Sequence, residues 1–411
     1  MTVPRVAYVL LWFPEPSQTF VLDEVNTLVR LGLEVRVFTL YGPRPAARLA
    51  GLARPAAAIR RLGLRALPLL LRDLALVPSR YGHKAWPFLS RLLLRRWRTL
   101  ETAGEALWAA LAGAHLAGVF KAQGIGHIHA PWADGPATAA WAASYFSGIP
   151  FSFSARARDL HPPDGALLEK MAAAKLVRTN TLANRDYLAG LAPQCAHKLV
   201  NVYNGVSLAA PARRELAAGP PHRLLAIGRL VPKKGFATLV EAVRLLVQQG
   251  QDIDLTIAGD GPERRRLAEL VQRCGLGGRV SLPGFAPHAQ VPGLLAAAHL
   301  LVMPSQIAPS GDRDGIPNVI LEALAAETPV VATPVAGIPE VIRPGDTGWL
   351  APPENPQAIA AAIAAALADP DAARRLARRG QALVRREFDS RENYGRLKRC
   401  FHQAMGRGGS L

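Results

Sequence analysis

A repeated alternation limits the fold of this 411-residue chain more than any other feature: short apolar runs recur along it, each followed by a stretch with helical periodicity. In the first half the runs are VAYVLLW, EVRVFTL, HIHA, FSFSA, KLVRT and KLVNVY, with helical stretches such as 20–31 and 137–146 between them. A second series begins at RLLAIG and continues through DLTIAG, VSLPG, LLVMPS and PVVAT; here the clearest helical stretches are 237–249, 263–273 and 319–326. Strands alternating with helices form parallel α/β layers. Between the two series, residues 207–221 are rich in Ala, Pro and Arg and lack periodicity, which marks a linker. The expected fold is therefore α/β, with two Rossmann-like doubly wound domains facing a cleft. The first spans 1–206 and the second 222–387, and 388–411 form a final helix and tail. Ligands of such sheets sit outside the carboxyl ends of the strands.

Half of the residues are hydrophobic, enough for two cores. Cys195, Cys274 and Cys400 are far apart and odd in number, so they make neither a metal spacing nor a disulfide framework, and a reducing cytoplasm suits them. The apolar run near the start reads as a buried first strand, since no small-residue cleavage site follows it. No stretch reaches the ~18 uncharged apolar residues of a membrane span.

The formal charge is +18, and residues 44–121 hold fourteen Lys or Arg against three acids. This segment interrupts the first series and reads as a basic helical insert. In it Leu89, Leu93, Trp97 and Leu100 share one helical face while Arg91, Arg95 and Arg98 lie off it. Such a helix either docks on an anionic membrane surface or packs its apolar face on its own domain.

Three strand-to-helix turns carry the chemistry. In AIGRLVPKKGFATLVEA, Arg229 and Lys234 stand between a strand and the start of a helix, an arrangement suited to a phosphate or diphosphate. The Walker lysine–serine pair and the dinucleotide glycine fingerprint are both missing. In IAGDGPE, Gly259 and Gly261 permit close backbone approach and Asp260 positions the loop. In DGIPNVILEALA, Gly315 and Pro317 place Asp314 in a loop and Glu322 inside the helix that follows, so two acids and a helix start converge on one polar site.

The order IGRLVPKKG, IAGDGPE, PGFAPH and GDRDGIPNVILEALAAETPVVATPVAGIPEVI resembles the retaining glycosyltransferases of family 4, which have the GT-B fold. FPEPSQTFVLDEV, HAPWADGPATAAWAASYFSGIPFSFSARARDL and VYNGV in the first half are similar to the same family, so the resemblance covers nearly the whole chain. It implies a nucleoside-diphosphate-sugar donor, an oligosaccharide or lipid-linked acceptor, no essential metal and no nucleic acid. Glu322 would accept the ribose hydroxyls, because an ionised carboxylate is purely an acceptor. Asp314 would meet the sugar, with the amides of Gly315 and Ile316 and the side chain of Asn318 around the donor. Arg229 and Lys234 would neutralise the departing diphosphate. Gly259 lies in the donor turn, and Gly284 and Phe285, in PGFAPH, would face the base. On the acceptor side, Ser17 and Thr19 follow the first strand and either contact the acceptor or diphosphate or cap the next helix; Arg156 stands where the resemblance puts a residue near the donor sugar, His129 nearby serves there or is structural at its strand end, and Asp159 is the candidate for orienting the acceptor. Most relatives carry Glu in place of Asp314, and many carry His in place of Arg156; a permanently charged Arg cannot act as a base and would instead bind phosphate or an acidic sugar. Glu24 reads as a surface residue of the first helix. The final helix, around 389–402, would cross back to the first domain. The enzyme would work in the cytoplasm, peripherally on the inner face of the plasma membrane.

Three rival functions predict different behaviour. A sugar-binding scaffold would bind a donor without turnover. An epimerase of the same fold would change the donor sugar with no acceptor present. A nucleic-acid binder would show salt-steep DNA affinity. Asp312 and Asp314 form a D-x-D, a metal-binding pattern in another glycosyltransferase fold, to which the GT-B resemblance gives no such role.

Overall fold

The computed structural model describes every residue except 1–4, 46–48, 50–51, 64–65, 76–81, 83–85, 89, 91–98, 158, 162, 164, 207–218 and 407–411, and the side chains at 17, 71 and 73–75. The chain divides into two compact units, Met1–Gly205 with Arg391–Leu411, and Val206–Ser390.

The first unit holds seven parallel strands in the order β3-β2-β1-β4-β5-β6-β7. They are β1 (Arg5–Leu10), β2 (Glu34–Thr39), β3 (Ala58–Arg61), β4 (His127–Ala130), β5 (Phe151–Ala155), β6 (Leu176–Thr179) and β7 (Leu199–Asn201). The second unit repeats the plan with six parallel strands, β10-β9-β8-β11-β12-β13. These are β8 (His222–Ile227), β9 (Ile253–Ala258), β10 (Val280–Gly284), β11 (Leu300–Met303), β12 (Val330–Ala332) and β13 (Trp349–Leu350). Central strands such as β4, β5, β11 and β12 are buried at every residue; β11 and β12 read as unbroken apolar runs, whereas β4 and β5 bury His127, His129, Ser152 and Ser154 between apolar residues. The order reverses between β1 and β4 in one sheet and between β8 and β11 in the other, the doubly wound arrangement that opens a crevice at the strands' carboxyl ends.

The apolar run near the start is β1, with Val6–Leu10 buried. Two edge strands, β3 and β13, are additions to the sequence reading; both are short, and β3 is too exposed and too basic to read as an apolar run. The basic segment 44–121 is thus not a purely helical insert, because it supplies the edge of the first sheet. The helix Leu100–Ala122 is long and apolar enough to cross a membrane by length and composition, although Glu101, Glu105 and Lys121 keep it from being an uncharged run of that length. In this unit it is a core helix, burying Ala109, Ala112, Leu116 and Phe120. Gly113 lets it approach the helix Gly135–Ser147 so closely that a Cβ would lie 2.3 Å from the Ala139 carbonyl oxygen. The amphipathic reading rested on Leu89, Arg91, Leu93, Arg95, Trp97 and Arg98, which lie outside the described residues. Leu100, the last of that face, is 94% exposed.

The last helix, Ser390–Ala404, inserts Tyr394, Leu397 and Phe401 into the first unit's core beside Val6, Tyr8 and Val25. Lys398 Nζ donates to the Leu31 carbonyl at 2.6 Å. Cys195, Cys274 and Cys400 are free thiols.

Candidate functional site

In the second unit the chain leaves β8 through Gly228 and a single 3-10 turn, Pro232–Lys234, before the helix Phe236–Gln248. Gly235 joins turn to helix with φ 65°, and a Cβ there would lie 2.0 Å from the Pro304 carbonyl oxygen. Pro304 follows β11, so this glycine lets the loops after the two switch-point strands touch. The Gln306 amide donates to the Lys233 carbonyl at 2.9 Å and fixes the contact.

Four charges meet there. Lys234 Nζ lies 2.7 Å from Asp314 Oδ2, and Lys233 Nζ lies 3.0 Å from Asp312 Oδ1 and 3.5 Å from Asp314 Oδ1. Ser305 Oγ donates to Asp314 Oδ2 at 3.3 Å. Burial pushes the Asp314 carboxyl up, but Lys234 and Lys233 outweigh it and hold the group below its usual range. Asp314 and Lys234, assigned above to separate parts of a donor, are therefore partners of each other, as buried charges must be. Lys233 bridges the D-x-D, putting an ammonium between its two carboxylates. Asn318 opens the helix Asn318–Ala325, with Pro317 at its N-cap rather than inside it. Gly315 and Ile316 are buried in the loop before it.

The turn after β9 closes on the turn after β8. A Cβ on Gly259 would lie 1.8 Å from the Gly228 carbonyl oxygen, and one on Gly261 2.4 Å from that of Leu230. The Gly259 amide donates to the Gly284 carbonyl at the end of β10, at 2.8 Å. Beyond Gly284, Phe285 is 60% exposed. His288 Nδ1 lies 4.0 Å from Glu322 Oε1. Burial raises the Glu322 carboxyl above its ordinary range, opposed in part by His288. Arg229 is exposed at the exit of β8. Every donor-side residue named from sequence thus belongs to this unit, at the carboxyl edge of its sheet. A surface cavity of about 400 Å³ also opens in this unit, but at the opposite end of the strands, beside Arg223, Asp254 and Arg279.

The first unit treats its charges differently. Glu24 is buried rather than at the surface: its Oε2 accepts from Arg178 Nη1 and, at 3.2 Å, from Arg156 Nη2, and Tyr8 Oη donates to its Oε1 at 3.0 Å. Burial raises its carboxyl, but the two guanidiniums outweigh that and bring it down to about 2. Arg156 also donates from Nε to the Pro131 carbonyl at 2.9 Å and from Nη1 to Asn204, so protein partners occupy all three of its nitrogens. Asp159 accepts from the Ala133, Ala157 and Arg156 amides at 2.7, 2.9 and 3.1 Å, bonds that tie the loop after β5 to the loop after β4. Burial nevertheless leaves its carboxyl raised. His129 is fully buried between Ser152 and Ser154, and burial pushes its imidazole well below the usual range. Thr19 is half-buried at the start of the first helix, where the N-cap Gln18 makes no side-chain cap bond. The side chain of Ser17 lies outside the described residues.

Sequence reasoning missed Lys233, Ser305 and Arg178. Lys233 had a signal in its adjacency to Lys234. Arg178 had one in being the one charge inside the short buried strand LVRT, a position that demands a buried carboxylate.

A family model for group 1 glycosyl transferases matches residues 212–383. The putative colanic acid biosynthesis glycosyltransferase WcaL of Salmonella typhimurium is 30% identical over 375 residues, covering 88% of this chain and 90% of that protein. Its Escherichia coli counterpart is 29% identical, covering 94% and 96%. Among solved structures, HepE of Anabaena in complex with UDP superposes with a TM-score of 0.70 at 18% identity, covering 97% of this chain and all of that one. Sucrose-phosphate synthase of Thermosynechococcus elongatus gives 0.71 at 21%, covering 98% and 99%. With its two Rossmann-like units in the GT-B fold, the chain belongs to the group 1 glycosyl transferases.

Proposed function

We propose that this protein transfers a sugar, with retention and in the manner of family 4, from a nucleoside-diphosphate sugar to a saccharide or lipid-linked acceptor during surface polysaccharide synthesis. The observation that carries this reading is the meeting of a cationic turn and an acidic loop at the β8–β11 switch point, with Lys234 2.7 Å from Asp314. Lys234 would turn to the donor diphosphate and free Asp314 for the sugar hydroxyls, while the exposed Arg229 adds a second cation. Glu322 would accept the ribose hydroxyls, and the exposed Phe285 offers a face on which a base can lie. The bond from the anomeric carbon to the diphosphate breaks as the acceptor oxygen bonds to that carbon on the same face. The acceptor proton passes to the departing phosphate oxygen. Cations fixed where negative charge grows act on the transition state more than on the bound donor. No step needs a metal.

The relatives' own names support this reading. WcaL and the amylovoran glycosyltransferase of Erwinia amylovora are named for polysaccharide synthesis, HepE was solved with UDP-glucose, and a similar mannosyltransferase of Mycobacterium tuberculosis is named as dependent on GDP-mannose. A thermal-shift panel of nucleotide sugars tests it. The matching donor should stabilise the protein by about 2.7 kcal/mol at a hundred times its Kd, and nucleoside diphosphate should be released on adding acceptor. No shift with any donor and no release would end the reading. Binding without release would favour a scaffold, and a changed donor sugar without acceptor an epimerase.

The site of action would be the cytoplasmic face of a membrane. Trp86 is 73% and Leu100 94% exposed, in a segment whose Arg54, Arg60, Arg61 and Arg72 are also exposed. Apolar side chains among cations suit an anionic lipid surface, at about 1 kcal/mol per basic residue near it.

A further inference from the structure

Lys233 has no part in the donor reading, yet it is more buried than Lys234 beside it, at 8% exposure. Its ammonium touches both carboxylates of the loop after β11, at 3.0 Å to Asp312 and 3.5 Å to Asp314. That loop runs from Pro304 to Pro317, and its internal side-chain bonds are few and long: Ser305 Oγ to Asp314 Oδ2 at 3.3 Å, the Asp312 amide to Ser310 Oγ at 3.4 Å and Arg313 Nε to the Gly311 carbonyl at 3.4 Å. Its internal backbone bonds are Ala308 to the Asp312 carbonyl and Gly311 to the Ala308 carbonyl, and Gly311 sits at φ 85°. Ser310 at its tip is exposed. A loop of this kind is placed by what it contacts. Two contacts reach Asp314 from a neighbouring element's cations: Lys234 and Lys233. The first has to change partners if it is to meet a diphosphate. The second is bonded to Asp312 as well, so it keeps its place when Lys234 leaves.

We propose that Lys233 is a positioning residue: through Asp312 it clamps the loop after β11, so that the Asp314 carboxylate stays aimed into the site while Lys234 engages the donor. This rests on the donor reading given above. Two consequences separate it from a general stabilising role. With Lys233 removed, the diphosphate and ribose contacts survive, so turnover falls while the donor KM changes little. One of the two cations that hold the Asp314 carboxyl down is also gone, so the acid limb of the kcat/KM profile moves to higher pH.

The test compares Lys233→Gln, Asp312→Asn, the double variant and Lys233→Arg in the full chain. Hydrogen exchange of peptides spanning 306–317 is followed without donor, and turnover with UDP-glucose and with GDP-mannose. Both single changes should speed exchange in that loop, the double no more than either single, because the two residues form one contact. Turnover should fall roughly ten- to a hundredfold, the usual loss for a bond to a charged group, and Lys233→Arg should restore most of it. Unchanged exchange in Lys233→Gln, additive single effects, or a KM rise without loss of kcat would each overturn the clamp. If wild-type protein binds neither nucleotide sugar while exchange behaves as expected, the clamp stands and the donor reading is what has failed.

Discussion

The two units repeat one topology and place a cluster of charges at the carboxyl side of each sheet, but the clusters are built for different ends. In the first unit Glu24, Arg156 and Arg178 are 0–2% exposed at their side chains, and the loop carbonyls of Pro131, Val202 and Tyr203, with Asn204 and Tyr8, take their remaining bonds. In the second, Lys233, Lys234 and Asp314 are 10–12% exposed and Asp312 21%. Charges sealed from water cannot exchange partners without a large desolvation cost, so the first cluster is architecture. A cluster that keeps some water can trade one partner for a ligand, as a binding site requires. Burial, rather than charge type, separates the two; the acid in each is held down by two cations.

The largest expected effect tests the architectural half. Glu24→Ala leaves two buried guanidiniums without their carboxylate and should cost about 3–5 kcal/mol in urea unfolding; a cost below about 1 kcal/mol would dissolve the contrast. Should that variant fail to fold, Tyr8→Phe, which removes a single bond to Glu24, should still cost about 1 kcal/mol. The same cluster sets an acid limit. The folded-state value of Glu24 is depressed from 4.5 to about 2, so its contribution is complete above pH 4.5 and is lost as pH falls from there towards about 2, which a denaturation series in pH will show.

Next come the exchangeable charges. Arg229→Ala should lower turnover by roughly a hundredfold, yet shift stability by no more than about 0.5 kcal/mol, since the side chain is exposed. A stability loss with unchanged turnover would place Arg229 on the architectural side. Glu322→Ala should weaken donor binding by roughly 1–3 kcal/mol in calorimetry with the fold intact. In the native protein that affinity should fall on acidification earlier than an ordinary glutamate would allow, because burial raises the Glu322 carboxyl above 4.5. The smallest effect is at the surface: Trp86→Ala should leave stability within about 0.5 kcal/mol and reduce sedimentation with anionic vesicles at low salt. Wild-type protein that never sediments with such vesicles would end the membrane reading.

The alternating apolar runs were sufficient to indicate two parallel α/β sheets, because strands buried on both faces need a largely apolar sequence, and the buried exceptions in the first sheet, His127, His129, Ser152, Ser154 and Arg178, each find a polar partner. The turns after β8, β9 and β11 were legible for a related reason. Gly235, Gly259 and Gly261 stand where backbone approaches leave no room for a Cβ, so the spacing of glycines and charges is a direct imprint of local geometry. Edge strands were not legible, since β3 is basic and exposed and has no apolar period to betray it. Nor was the fate of individual charges. Glu24 and Arg178 are separated by 154 positions and Lys233 and Asp312 by 79, and nothing local at either end specifies the other. The sequence by itself thus determined the layers, the turns and the family to which they belong. Tertiary structure alone decided which carboxylate is sealed behind two arginines and which keeps partial exposure beside two lysines, because desolvation depends on everything packed around a charge and not on its neighbours in the chain.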